Sequence, residues 1–256
     1  MKKFLSVLLL SIASIMTIHA QGVIGVKGGL SHSGILVENP DGGLIPGFVG
    51  GFTYDLPISE KLTFGAELLY SQQGVYKNSN IPVQFPSELT GLPETLNYSA
   101  SGETHIRLNY VNVPIVLKYG FGENGSFKLF GGGQVGFLVN NKKTWKGNVT
   151  LTGAESGQDY MPVFSDALAA SGLPTSNEDM QSIADQQDFK KIDFAFVIGA
   201  SYDFANTPLS LDFRANYGMV DINDSGDVNK NDTTNDDWMK NMSLQLTLKY
   251  SIFGRN

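Results

Sequence analysis

The chain has 256 residues, enough for one large all-β domain or two small ones, and no cysteine. The missing cysteine excludes a disulfide framework, a Cys-based zinc site, a thiol nucleophile and a lipid-modified N-terminal Cys. A net charge of -7 argues against nucleic acid as a partner, and three histidines leave little room for a multi-His metal centre.

In chain order, Met1-Lys2-Lys3 is a short basic start, Phe4 to Ile18 is an apolar run, and Ala20 offers a small residue before Gln21. This is the order of a secretory signal peptide. The run is shorter than the ~20 residues that cross a bilayer. Residues 1–20 therefore read as a cleaved leader and residues 21–256 as the mature domain.

Period-two alternation dominates the mature domain. Five strands are expected at Val23–Ser31, Gly47–Leu56, Leu62–Tyr76, Glu103–Tyr119 and Phe127–Asn140. In the fourth, the polar positions His105, Arg107 and Asn109 give way to Asn112 and Lys118, and this phase slip near Tyr110 predicts a β-bulge. Three cleaner strands complete the set. Ile192, Phe194, Phe196, Ile198, Ala200, Tyr202 and Phe204 oppose Asp193, Ala195, Val197, Gly199, Ser201 and Asp203. Leu209 to Met219 and Met242 to Ile252 alternate in the same way.

The connections alternate in length. Leu56–Leu62, Gly120–Ser126 and Ala205–Pro208 are short, whereas His32–Pro46, Lys77–Gly102, Asn141–Lys191 and Val220–Trp238 are long. Short and long connections thus fall at opposite ends of an up-and-down meander, the pattern of an outer-membrane barrel. Inside the third long loop, Met161, Phe164 and Leu168 have helical spacing. Asn177 to Asp185 reads as a second short helix with Asn177 as its N-cap.

An eight-stranded barrel can place its apolar face inward around a ligand or outward against lipid. The polar face here is mostly Gly, Ser, Thr and Ala with a few isolated charges. Tyr54, Tyr70, Tyr76, Tyr119, Tyr202, Tyr217 and Tyr250 lie near strand ends, and several strands reach membrane-spanning length. These features select an all-β, closed eight-stranded antiparallel up-and-down transmembrane β-barrel with long extracellular loops. Glu67, Arg107, Lys118, Lys128, Asp193, Asp212, Arg214 and Lys249 fall on its polar face and are expected to pair as a lumen ion-pair network.

Three stretches resemble Bacteroidetes outer-membrane β-barrel proteins of the PorT-like family: Val26–Ser31 (VKGGLS), Phe64–Gly74 (FGAELLYSQQG) and Tyr110–Tyr119 (YVNVPIVLKY). The resemblance implies an eight-stranded barrel in the cell outer membrane and implies no reaction.

Two constellations could carry chemistry. Asp221, Asn223, Ser225, Asp227 and Asp232, with Gly226 between, follow the spacing of a calcium loop. The same stretch also reads as a solvated acidic loop. Ser31-His32-Ser33 and Ser101, Glu103 and His105 hold the groups of a triad for a lipid-modifying enzyme, but adjacent residues of a strand point to opposite faces. The expectation is therefore no catalytic residue, no cofactor apart from calcium at that loop, and a structural or partner-binding role through the loops. A small-solute or ion pore is the alternative and a lipid-modifying enzyme the third. The expected partners are outer-membrane lipid and lipopolysaccharide, the barrel assembly machinery, and an extracellular protein or glycan.

Overall fold

The computed structural model describes residues 22–36, 42–122, 125–186, 188–224 and 239–254. Among them run eight strands: β1 (Val23–Leu36), β2 (Gly42–Pro57), β3 (Leu62–Phe85), β4 (Leu96–Phe121), β5 (Phe127–Gly153), β6 (Ile192–Asp203), β7 (Leu209–Gly218) and β8 (Lys240–Phe253). Each pairs antiparallel with its sequence neighbour, and β1 closes onto β8, so the sheet is a barrel in strand order β1 to β8. Three helices accompany it: α1 (Ser87–Thr90), α2 (Met161–Ala170) and α3 (Asn177–Asp185).

The apolar face points outward. Leu30 is 71% exposed, Phe52 62%, Ile198 56% and Phe213 52%, while Ser31, Ser71, Thr247 and Arg214 are buried inside. From Ile192 to Tyr202, β6 advances roughly 33 Å and, tilted by ~40°, rises ~25 Å, the height of an outer-membrane apolar band. Tyr119, Tyr202 and Tyr250 are exposed on its outer face toward the short-turn end. The ring satisfies backbone N–H and C=O groups along this band without an open edge.

The strands are not of one length. β6 and β7 have 12 and 10 residues, whereas β3, β4 and β5 have 24, 26 and 27. Much of what reads as loop in Lys77–Gly102 and Asn141–Lys191 is therefore strand, paired from Leu62↔Tyr119 up to Phe85↔Leu96 and from Phe121↔Phe127 up to Leu96↔Gly153. In His32–Pro46, likewise, β1 continues to Leu36 and β2 begins at Gly42. These stretches are rich in Asn, Ser, Thr and Gly, and they resemble loop when judged against the apolar face of the band below.

The expected bulge lies on the other strand. Asn109 pairs with Asn140 and Tyr110 with Leu138, so the residue passed over is Val139 of β5. β4 itself keeps one burial phase, with Leu96, Tyr98, Ala100, Ile106, Leu108, Tyr110, Asn112, Val116 and Lys118 all inward. At α3 the cap is Ser176, one residue before the expected Asn177. The Ser176 hydroxyl accepts from Asp179 N–H, and the Asp179 carboxylate accepts from Ser176 N–H, a reciprocal capping box.

Candidate functional site

The lumen is filled from the short-turn end upward by paired charge. Lys128 and Asp203 meet at 2.8 Å beside an open hollow of about 250 Å³. Next, Asp55 takes Lys118 and Lys249, both at 2.7 Å. Above them Glu67 Oε1 accepts from Lys27 at 3.0 Å and from Arg214 Nη2 at 2.9 Å, while Oε2 accepts from Arg214 Nη1 at 2.8 Å. Asp212 accepts from Lys27 at 3.1 Å and Arg214 Nε at 3.0 Å. The Phe130 ring lies 5.2 Å from the Arg214 guanidinium and 6.0 Å from the Lys118 ammonium, closing the space between them. The Glu67 and Arg214 side chains are completely buried, and charges so placed persist only when paired and hydrogen-bonded.

Of the expected lumen residues, Glu67, Lys118, Asp212, Arg214 and Lys249 come together in this network. Asp193 is buried apart from it, with Oδ2 accepting from Asn241 at 2.8 Å; the same amide donates to the Tyr110 hydroxyl at 3.1 Å. Arg107 is not in the lumen. It lies on the exposed outer face of β4, because β4 keeps its burial phase where its sequence changes chemistry. The sequence pattern alone did not single out Lys27 and Asp55. Both stand inside expected strands, Lys27 at the parity of Ser31 and Asp55 at the parity of Val49 and Thr53, and share the inward face with them.

A second layer closes the long-strand end. Ile35, Ile106, Leu108, Tyr110, Phe189, Ile222 and Met239 form one buried apolar cluster. Backbone bonds stitch its covering segments: Lys190 N–H to Ile222 C=O at 2.8 Å, Ile222 N–H to Met239 C=O at 2.8 Å and Asp224 N–H to Asp188 C=O at 3.0 Å. Between the two seals lies a polar zone, with Asn112 donating to Ser71 at 2.7 Å and Asn216 to Ser243 at 2.9 Å.

Beyond the seal, β3, β4 and β5 continue as a three-stranded sheet with a core of its own. Leu96, Tyr98, Ala100, Trp145 and Leu151 pack with Leu168 of α2 and Met180 of α3; Met161 and Phe164 join them, in line with the helical spacing read from the sequence. Among the described residues β5 has no strand paired on its far side here, since its pairing with β6 ends at Phe137↔Ile192. Gln181 of α3 takes that place. Its side chain accepts from Trp145 N–H at 2.8 Å and donates to Lys143 C=O at 3.2 Å, as a paired residue of a further strand would. A cleft of about 610 Å³ opens between α3 and β5, lined by Trp145, Lys146, Gly147, Asn177, Gln181 and Asp185 among others.

Glu94 staples the sheet's far end. It accepts from Ser156 Oγ at 2.6 Å, from the backbone N–H groups of Ser156 and Glu155 at 2.9 and 3.0 Å, and from the Tyr160 hydroxyl at 3.0 Å. The Ser156 hydroxyl first, then these backbone donors, hold the Glu94 carboxyl down at about 2. The same carboxylate raises the Tyr160 hydroxyl.

The triad groups do not assemble. His32 is exposed on the outside of β1 while Ser31 and Ser33 are buried inside, and Ser33 Oγ accepts from Gly74 N–H at 2.9 Å. β1 and β4 are not neighbours in the ring, so Glu103 is not beside His32; it pairs with His105 at 3.1 Å. Of the calcium-loop residues, Ser225, Asp227 and Asp232 lie outside the described residues. Asp221 Oδ1 accepts from Asn223 N–H at 3.0 Å and Met239 N–H at 2.8 Å, anchoring the apolar seal.

A family model described as outer membrane protein beta-barrel domain matches residues 20–224. Among solved structures, the chain is similar to Neisserial surface protein A, at 12% identity over 90% of this chain and 97% of that one, with a TM-score of 0.42. It is similar to Ail, the attachment invasion locus protein of Yersinia pestis, at 11% identity over 91% and 99% with a TM-score of 0.38. OprG of Pseudomonas aeruginosa is similar at 12% identity over 91% and 96% with a TM-score of 0.40. Among curated proteins, no match to this chain is found.

Proposed function

This chain belongs to the outer membrane protein beta-barrel domain family, and from that premise we propose that it is a closed, non-catalytic anchor whose β3–β4–β5 extension is a surface for an extracellular protein or glycan. On this reading the leader, residues 1–20, is removed on export, and residues 21–256 are assembled by the barrel assembly machinery among outer-membrane lipid and lipopolysaccharide. The short turns face the periplasm and the extension faces outward from the cell. The PorT-like kinship belongs to the same proposal and adds no reaction to it.

One observation carries the reading: the lumen is sealed twice, by the Lys27, Glu67, Asp212 and Arg214 network and by the apolar cluster around Tyr110, while the ordered polar surface is built outside the barrel. Rigid scaffolds that display well-packed surface elements at one end commonly use them for binding. The test is conductance of the refolded protein in planar bilayers, with lipid A from expressing cells weighed in parallel. The expected result is no steady current and no mass shift. A stable current would replace the anchor with a small-solute or ion pore, and a mass shift would replace it with a lipid-modifying enzyme.

A further inference from the structure

With Arg107 on the outer wall, its neighbour becomes informative. Arg107 pairs with Lys142 across β4 and β5, and both side chains are exposed. Directly opposed like charges destabilise an antiparallel pair. Among the described residues, neither has an ion-pair partner. Glu103, four residues away on the same face of β4, is engaged by His105 at 3.1 Å and stands opposite Lys146. On the β3 side Arg107 faces Gly74, which adds no side chain, and on the far side of Lys142 no strand among the described residues pairs with β5. The two cations thus share an exposed patch in which, among the described residues, neither is ion-paired.

Their height gives the patch a meaning. The outward residues below them are Asn109 and Asn140, then Val111 and Phe137, the first apolar pair of the membrane band. Four residues along a strand tilted by ~40° rise roughly 10 Å, so the cations stand at headgroup depth, within reach of long side chains that lean toward the interface. Tyr76 and His105, with ring centroids 6.1 Å apart on the same wall, add the aromatic character of that interface.

We infer that Arg107 and Lys142 form a binding site for the phosphate of a lipid headgroup in the outer leaflet. The guanidinium fork takes two phosphate oxygens, the ammonium a third, and the anion turns a repulsive pair into an attractive set of three. The inference rests on the membrane orientation of the proposed anchor.

The test uses the refolded protein in neutral detergent, titrated with phosphatidic acid, with phosphatidylcholine, or with inorganic phosphate, and followed by native mass spectrometry and thermal unfolding. Phosphatidic acid is expected to be retained roughly tenfold more tightly than phosphatidylcholine, and R107Q/K142Q to lose that preference. The sign of a stability change gives a second readout. K142Q is expected to raise the unfolding midpoint in neutral detergent, where it relieves repulsion, and to lower it once phosphatidic acid is present. Equal retention by parent and double variant overturns the site. Full stabilisation by inorganic phosphate alone assigns it to a free anion and overturns the lipid ligand. Failure to fold in detergent overturns the orientation and the inference together, whereas a barrel that folds there yet ignores phosphatidic acid overturns the inference alone.

Discussion

The lower and upper parts of β4 and β5 follow opposite rules. Below, the outward residues are Val113, Ile115 and Leu117 of β4 and Leu129, Val135 and Phe137 of β5, and the inward ones include Asn112, Lys118 and Gln134. Above, the inward residues are Leu96, Tyr98 and Leu108 of β4 and Trp145 and Leu151 of β5, while Ser99, Arg107, Lys142 and Thr150 face out. The two strands reach this inversion by different routes. β4 changes its sequence parity between Tyr110 and Val111 and keeps its backbone phase. β5 keeps most of its apolar residues on odd positions from Phe127 through Leu151 and changes its backbone phase at Val139. A slip in the hydrophobic pattern therefore does not imply a bulge, and an unbroken pattern does not exclude one. The solvent outside the wall, hydrocarbon below and water above, sets which face must be apolar.

Deleting Val139 should break this comparison most severely. The upper part of β5 would turn by one residue and present Trp145, Val149 and Leu151 to water, at a cost of roughly 5 to 9 kcal/mol. Limited proteolysis is expected to cut within the extension, while the barrel keeps its unheated-versus-boiled gel shift. Loss of both together would show that the two regions fold as one unit.

Glu67→Ala tests the lower region alone. It leaves Lys27 and Arg214 buried against Asp212 only, with an expected loss of about 3–5 kcal/mol in the urea unfolding of the barrel. Proteolysis of the extension should not change. The outward positions give the sharpest contrast. Ile198→Arg, at an outer site near the middle of the band, is expected to cost about 2–4 kcal/mol. Thr150→Arg, equally outward but above the band, should stay within about 0.5 kcal/mol. Equal costs would refute the placement of the hydrocarbon layer.

The smallest effect is expected at Glu94. Its folded value, about 2, lies below that of an unfolded glutamate, so its contribution is present above about pH 4.3 and is lost as pH falls toward 2. Pepsin cleavage of the turn at residues 154–160 should rise across that window in the parent. In Glu94→Gln the turn is expected to be cleaved readily throughout, without the pH step.

Legibility followed the same divide. In the band, alternation against lipid made β6, β7 and β8 readable almost to the residue, and parity singled out five of the seven charges in the buried network. In the extension the same rule misleads. Asn97, Ser99 and Ser101 alternate with Leu96, Tyr98 and Ala100 as they would in any half-buried strand, yet the surrounding Gly and Asn make the stretch resemble loop. Gln181 could not be recognised from sequence, because an amide that substitutes for a strand residue has no local signature.

What the sequence determines by itself is therefore the closed meander, the outward apolar band and the segregation of short and long connections, since each follows from local alternation and turn chemistry. Tertiary structure alone decided that Val139 is the bulge, that Arg107 faces out beside Lys142, and that Glu67 binds Arg214 across 147 positions of chain. Each of these depends on which strand lies alongside and which solvent lies beyond it, and a linear pattern carries neither.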